Sequence, residues 1–238
     1  MTRTRHAAAA LALAALALCP APRAAAGVAA PAADDARRAA GGFQRVPRVT
    51  SDAAPEASAF EFKAGGYFYH IAANGNGRGL RGEKTRLFNL RLDGRDYIEG
   101  LRFSVYEGDL LLLCELFDGE THAGVVMRVE QPSMRALWRS LVPAPEVGEP
   151  LRDGHDLYVT GAGFVARLDL RTGRYFWQHG DLGAGEADGT GVVLDRPFNS
   201  FETPRVEGDA VLFRERPVYN QPRTAVFKRK TGKLIRIE

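Results

Sequence analysis

Hydrophobic and polar residues alternate in short runs along the chain from about residue 59 to the carboxyl terminus, and glycine-bearing turns separate the runs. In Phe164–Leu170 the residues Phe, Ala, Leu and Leu occupy every second position, which is typical of a strand with one buried face. Thr172-Gly173 follows as a turn, and Arg174–Trp177 has the composition of a returning strand. This pattern predicts a β-hairpin, because glycine tolerates the positive φ that such a tight turn requires.

The hairpin recurs along the chain. Short runs of strand-forming residues follow similar glycine turns at Gly65-Gly66, Glu107-Gly108-Asp109, Gly154-His155-Asp156 and Glu207-Gly208-Asp209. The segments Arg128–Trp138 and Arg167–Trp177 place Arg, an acid, a hydroxyl, Arg and Trp at the same offsets, so the two tryptophans lie 39 residues apart. Weaker matches stand at Asp93-Gly94-Arg95 and Thr231-Gly232-Lys233, and the last unit carries an insertion of about 20 residues. A period near 40 residues indicates a repeat architecture.

The repeats predict an all-β, propeller-like array of about four antiparallel sheets, forming either a small closed ring or an open arc. Pairing of two arcs into an eight-sheet ring is the alternative, because an arc leaves exposed edge strands. Trp138 and Trp177 are expected to pack between neighbouring sheets, since repeats reuse core positions. A surface platform for stacking a sugar is the alternative role of these rings.

Leu168-Asp169, Thr172-Gly173 and Trp177, after a strand such as Leu157-Tyr158-Val159, resemble the repeat of the PQQ-like β-propeller family. Arg167 replaces the alanine that is usual in that repeat, and the other units match it in part. The resemblance implies a blade geometry. Family members that use the quinone cofactor are long enzymes with full rings and a calcium site, and no residue here matches a quinone ligand in a recognisable motif.

The amino terminus has the order of a secretory signal peptide, which we assign to residues 1–26. Arg3 and Arg5 precede a short Ala/Leu run, and Ala24-Ala25-Ala26 offers a small-residue cleavage site. Cys19 provides a lipoprotein alternative, although Leu18 is larger than the residue that usually precedes an acylated cysteine. Residues 27–58, rich in Ala, Pro, Arg and Asp, are expected to form a flexible leader before the repeat domain 59–238. The protein is therefore expected to be exported, to the periplasm or the extracellular space, with no transmembrane span.

Removal of the signal peptide changes the charge balance. The whole chain has 32 basic and 29 acidic side chains, and residues 1–26 hold three arginines and no acid, so residues 27–238 carry 29 of each. A neutral chain gives no reason to expect nucleic acid as a partner. Cys114 is then the single cysteine, and its apolar surroundings predict a buried, inert side chain.

Catalytic, cofactor-binding and metal-ligating motifs are absent from the sequence as read: the histidines lack metal-pair spacing, and no serine sits in a nucleophile elbow. The inserted loop His179–Pro204 is the candidate binding surface, because insertions on repeat scaffolds often carry binding. Its candidate residues are His179, Asp181, Glu186, Asp188, Asp195, Arg196, Asn199 and Glu202. Carboxylates in a glycine-rich loop can bind calcium, but the spacing does not match a twelve-residue calcium loop, so neither calcium nor quinone is predicted.

Two functions follow as hypotheses. The first is an exported, non-catalytic binding or scaffold domain of the bacterial cell envelope, with another envelope protein as its partner and a homodimer if the ring is incomplete. The alternative is a secreted enzyme, or a component of a quinoprotein dehydrogenase, acting on a saccharide or alcohol.

Overall fold

A computed structural model describes residues 42–49, 58–92, 96–131, 133–183, 194, 196–217 and 221–238. These residues form strands, turns and loops, and none of them is helical. The strands are β1 (Gln44–Val46), β2 (Arg48–Val49), β3 (Ala59–Ala64), β4 (Tyr67–Ala72), β5 (Asn76–Arg81), β6 (Lys84–Asn89), β7 (Tyr97–Tyr106), β8 (Asp109–Phe117), β9 (His122–Glu130), β10 (Arg135–Val142), β11 (Leu151–Asp153), β12 (Asp156–Gly161), β13 (Phe164–Asp169), β14 (Tyr175–His179), β15 (Arg205–Glu207), β16 (Ala210–Arg214), β17 (Thr224–Lys228) and β18 (Leu234–Ile237). The described residues therefore contain no helix that could cross a bilayer.

The strands form four antiparallel sheets that follow one another along the chain. Sheet I contains β2 to β6, sheet II contains β1 and β7 to β10, sheet III contains β11 to β14, and sheet IV contains β15 to β18. Within each sheet four consecutive strands pair as a meander, so most connections are tight hairpins. The prediction of an all-β, propeller-like array of about four sheets is confirmed.

Three hydrophobic cores join the sheets in sequence order. One core lies between sheets I and II, one between II and III, and one between III and IV. Strand β8 contributes to two cores, so it is apolar on both faces. Leu110 and Leu112 belong to the first core, whereas Leu111 and Leu113 belong to the second. Both faces of that strand are buried, as its run of leucines requires.

The outer sheets bury one face each. In β3 the burial alternates, with Phe60 and Phe62 in the first core and Glu61 and Lys63 exposed. Among the described residues no core cluster joins sheet IV to sheet I.

One segment crosses between two sheets. Gln44–Val46 pairs antiparallel with β7 of sheet II, and after Pro47 the chain pairs with β3 of sheet I through Arg48 and Val49. These residues lie within the segment that the sequence analysis assigns to the leader. They are ordered because Phe43 is buried in the second core and Val46 in the first. The sequence does not predict this burial, because the segment contains few large apolar residues.

Candidate functional site

The tryptophan of the repeat joins each sheet to the next one. The indole Nε1 of Trp138 in β10 donates to the carbonyl of Leu170 at 3.1 Å, and the ring covers Gly173, where an added Cβ would lie 2.6 Å from Cδ2. Ser140, two residues later, donates its hydroxyl to the Gly173 carbonyl. The last strand of sheet II is therefore fixed to the hairpin turn of sheet III.

Sheets III and IV repeat the same arrangement. Trp177 Nε1 donates to the carbonyl of Arg229 at 3.0 Å, and its ring covers Gly232. His179, again two residues later, lies 2.8 Å through Nε2 from the Gly232 carbonyl and stacks on Phe227 with ring centroids 5.1 Å apart. The prediction that both tryptophans pack between sheets is confirmed. His179, one of the candidate binding residues, contacts Gly232 and Phe227 of sheet IV.

The arginine of the repeat acts in the same interfaces. Arg128 donates through Nε to Asp109 at 2.7 Å, and Arg167 donates through Nη2 to Asp156 at 3.0 Å. Asp109 is the first residue of β8 and Asp156 is the first residue of β12, so each aspartate lies in the same sheet as its arginine. Arg167 also donates to the carbonyl of Arg229 in the next sheet at 3.1 Å. The two arginines therefore bind an aspartate within their own sheets, and Arg167 also joins sheet III to sheet IV.

The turn of the repeat is held as its sequence predicts. Asp169 accepts hydrogen bonds from the Arg171 N–H at 3.0 Å and from the Thr172 hydroxyl at 3.1 Å, and Thr172 accepts one from the Arg174 N–H at 3.3 Å. Burial favours a raised pKa for Asp169, but these donors and the Arg171 guanidinium lower it below its usual value. The carboxylate is thereby kept charged within the turn.

Arg196 and Asn199, two of the candidate loop residues, meet at a carboxylate that sequence reasoning missed. Glu215 is 1% exposed and accepts hydrogen bonds from Nη1 and Nη2 of Arg196, at 2.6 and 3.1 Å. The backbone N–H of Asn199 donates to the same carboxylate at 3.1 Å. Arg223 donates to it from the other side, through Nε and Nη2 at 3.2 Å each.

The surroundings of Glu215 keep it ionised. Burial alone would raise the pKa of this carboxyl, but the hydrogen bonds from Arg196, Arg223 and the Asn199 N–H lower its pKa to about 2. Arg223 also donates to the carbonyls of Arg196 and Pro197, both at 2.9 Å. The cluster therefore fastens the loop that leads into sheet IV to the end of β16, where Phe201 and Glu215 form an isolated bridge.

Asp181 and Glu202, the other candidate residues of the loop that the structure describes, have no contact with each other or with Glu215 among the hydrogen bonds and ion pairs of the described residues. Asp181 is exposed with a φ of +50°, and Glu202 is half-buried and donates its backbone N–H to the Arg214 carbonyl at 2.8 Å. Glu186, Asp188 and Asp195 lie outside the described residues. Across the part of the chain that the structure describes, no group of three His, Cys, Asp or Glu side chains could hold a metal ion.

A groove of about 580 Å³ opens between the first strands of sheets III and IV. Its lining consists of Leu151, Arg152 and Asp153 from β11 together with Thr203, Pro204, Arg205, Val206 and Glu207 at β15. Among the residues that the structure describes, β11 and β15 each pair with one strand, so no described strand pairs with the other edge of either. Leu151 and Val206 pack against the third core and remain half-buried.

The matching position between sheets I and II is occupied. There, β1 and β2 lie on the edges of β7 and β3, and Val46 is 4% exposed in the core between the two sheets. The chain thus fills one inter-sheet groove with its own extended segment. The groove at β11 and β15 has the same kind of walls, with a charged rim of Arg152, Asp153, Arg205 and Glu207.

Sequence reasoning missed both Glu215 with Arg223 and the groove. Glu215 and Arg223 stand in no local motif, and their partner Arg196 is 19 residues from Glu215. Short strands with mixed charge, such as Arg205–Glu207, read as loop. The position of Pro204 directly before β15 is the one signal present, because proline tends to lie at sheet edges.

Comparisons with known proteins found solved structures of low sequence identity. No protein-family model matches the chain, and no curated protein matches it. A quinohemoprotein alcohol dehydrogenase from Pseudomonas putida HK5 is similar in structure, with 12% identity, a TM-score of 0.44, and coverage of 83% of this chain and 36% of that one. BamB from Moraxella catarrhalis aligns at 14% identity and a TM-score of 0.26, over 82% of this chain and 78% of that chain. The WD40 domain of SCAP from fission yeast aligns at 10% identity and a TM-score of 0.38, over 80% and 46%.

These likenesses assign the chain to no family. The propeller-like arrangement rests on the four sheets and their three cores, and membership of the PQQ-like repeat family stays a prediction. The chain spans about a third of the length of the quinohemoprotein that it matches.

Proposed function

We propose that this protein is a non-catalytic binding and scaffold domain of the bacterial cell envelope, and that it holds an extended polypeptide segment of a partner protein. The observation that carries the proposal is the groove between β11 and β15, because the chain fills the matching groove between β7 and β3 with its own strands. Strand addition to an exposed sheet edge is a common way to bind a peptide.

The groove favours a ligand of defined chemistry. An apolar side chain of the bound segment would rest on Leu151 and Val206, as Val46 rests in the first core. Its neighbours would face Arg152 and Asp153 on one wall and Arg205 and Glu207 on the other, so charged residues of both signs fit beside the apolar one. Pro204 lacks an N–H, so backbone pairing along this wall would begin at Arg205.

Export is part of the same proposal and rests on the order of residues 1–26. The precursor, expressed in a bacterial host, should appear in the periplasm or the medium with its amino terminus at Gly27, as read by intact mass and terminal sequencing. A product that begins at an acylated Cys19 would support the lipoprotein route. A full-length product retained in the cytoplasm would contradict export.

Binding is tested with immobilised residues 27–238 in an envelope extract. The matched variants are Val206→Arg, which places a charge on the apolar floor of the groove, and Leu137→Arg, which makes the same kind of change at an exposed position of β10. We expect the wild type and Leu137→Arg to retain one partner that Val206→Arg loses, with all three proteins giving the same circular dichroism spectrum.

The partner must then be mapped to the groove. A photoreactive residue at Glu207 should cross-link to an extended segment of that partner, identified by mass spectrometry, and a synthetic peptide of the segment should compete for binding. Equal retention by Val206→Arg, or no retention above an unfolded control, would overturn the proposal.

A further inference from the structure

The two outer sheets each present one face that no described sheet covers, and both faces carry apolar residues. We propose that two copies of this chain associate head to tail, with sheet IV of each copy packed on sheet I of the other, to form one ring of eight sheets. The inference does not rest on the proposed function, because it is argued from the outer faces of sheets I and IV; the two surfaces share Arg205, which lies on the rim of the groove and on the outer face of sheet IV.

The outer face of sheet I carries three apolar residues, Phe68, Leu80 and Leu87, beside the polar and charged residues Glu61, Lys63, His70 and Arg78. Phe68 pairs with Leu80, and Arg78 pairs with Leu87, so these side chains lie on the side of the sheet opposite Tyr67, Tyr69 and Ile71 of the first core. Phe68 and Leu80 are half-buried, and Leu87 is 81% exposed, the highest value among the exposed large hydrophobic residues described. A leucine so open to water on a sheet face favours a partner.

The outer face of sheet IV also carries apolar residues. Leu212 pairs with Val226 and with Arg205, and Val226 pairs in turn with Arg236. These residues lie on the side of the sheet opposite Val211, Phe213 and Phe227 of the third core. The face therefore carries the half-buried Leu212 and, beside it, Val226, which is only 1% exposed, between two arginines.

The interior interfaces indicate how the two faces would meet. In sheet III, Trp177 pairs with Arg167 beside a register shift, and in sheet IV, Arg236 pairs with Val226 beside the same kind of shift. Arg236 therefore occupies in sheet IV the position from which Trp177 of sheet III contacts the next sheet. The turn glycines Gly173 and Gly232 are covered by the tryptophans of the preceding sheets.

Gly82, in the corresponding turn of sheet I, has nothing within 4 Å of the position of a Cβ. Head-to-tail packing would place Arg236 of one copy over Gly82 of the other. The exposed Glu83 in that turn would supply a carboxylate for the guanidinium, which pairs with Glu238 at 3.1 Å in the single chain.

The area available suits a stable dimer. Strands β3 to β6 of sheet I have six residues each, and the four strands of sheet IV have three to five. With ~4.8 Å between strands and ~3.3 Å per residue, the two faces measure roughly 380 and roughly 270 Å². Two interfaces with both faces in each would involve roughly 1,300 Å², which lies toward the lower end of the range for specific protein interfaces.

The oligomeric state of residues 27–238 is the first test. Sedimentation equilibrium at 1 to 100 µM should show a dimer for the wild type. Leu87→Glu and Leu212→Glu should each shift the protein to monomer by at least tenfold in dissociation constant, because each places a carboxylate in both interfaces of the ring. Leu141→Glu, the same change at a leucine 55% exposed on β10, should remain dimeric.

Cross-linking separates head-to-tail packing from other dimers and remains informative if Leu212→Glu unfolds sheet IV. Glu83→Cys and Arg236→Cys proteins, mixed and oxidised, should form a disulfide-linked dimer, whereas neither variant oxidised alone should do so. A monomeric wild type, a link formed by one variant alone, or no link in the mixture would each overturn the head-to-tail ring.

Discussion

The indole ring of Trp177 lies directly on Gly232, although the two residues belong to different sheets. An added Cβ at Gly232 would fall 2.6 Å from Cδ2 of the ring, and the backbone there has a φ of +68°. The glycine therefore serves two purposes, because it adopts a conformation that other residues rarely tolerate and leaves room for the ring. Trp138 and Gly173 repeat the pair one sheet earlier.

Replacing the ring should weaken the interface between sheets III and IV. We expect Trp177→Ala to lower the free energy of unfolding by about 3–5 kcal/mol, since it leaves a cavity against Phe227 and removes the hydrogen bond to Arg229. Phe176→Ala, at the next position and 51% exposed, should cost under about 1 kcal/mol despite its contact with Arg167. Urea unfolding of both variants makes the comparison, and equal losses would refute the packing role.

A methyl group at the turn glycine should be costly for the same reason. Gly232→Ala must bear the strain of a positive φ, about 1–2 kcal/mol, and also displace the Trp177 ring. Gly208→Ala is a matched control, with a φ of +60° and nothing within 4 Å of its Cβ position. We expect Gly232→Ala to be the more destabilising by at least about 1 kcal/mol in urea unfolding, and a smaller difference would mean that the ring moves aside freely.

Acid should weaken the protein through Glu215. Its pKa of about 2 in the folded state lies below the ordinary 4.5, so the folded state favours the charged form. The resulting stabilisation is complete above about pH 4.5 and is lost as the pH falls toward 2; the shift corresponds to roughly 3 kcal/mol. Urea unfolding between pH 6 and pH 2 should therefore show a steeper loss in the wild type than in Glu215→Gln.

The variant comparison is needed because other carboxyls, including Asp169, also have lowered pKa values. Glu120→Gln, at an exposed position in the loop between β8 and β9, is the control and should follow the wild type across the same pH range. Identical pH profiles for the wild type and Glu215→Gln would show that the arginine cluster does not stabilise the charged carboxylate.

Cys114 should be unreactive in the native state. Its side chain is fully buried in β8, and burial raises the pKa of the thiol to about 12, so almost no thiolate exists at neutral pH. Residues 27–238 should show no rapid reaction with a thiol reagent in buffer and one reactive thiol in 6 M guanidinium chloride. Ser133→Cys, at an exposed turn position, should add one thiol that reacts at once. Rapid native reaction of the wild type would contradict the burial of β8.

Much of the hairpin architecture could be predicted because its determinants are local. Alternation in Phe164–Leu170 shows which face is buried, and Thr172-Gly173 marks the turn. The spacing of Trp138 and Trp177 indicates that the sheets are built alike. Burial and positive φ restrict the residue types at such positions, so they leave a pattern in the sequence.

Tertiary structure alone decided which segments meet across the sheets. Glu215 contacts Arg196 and Arg223 because the fold brings a loop and a strand end together. No local sequence motif around any of the three residues predicts the other two. The sequence also does not predict that Gln44–Val49 pairs with two sheets. Nor does it predict that β11 and β15 each have one edge with which no described strand pairs. Edge pairing uses backbone N–H and C=O groups, which nearly every residue carries, so the choice of neighbour is made by the packing of the whole domain.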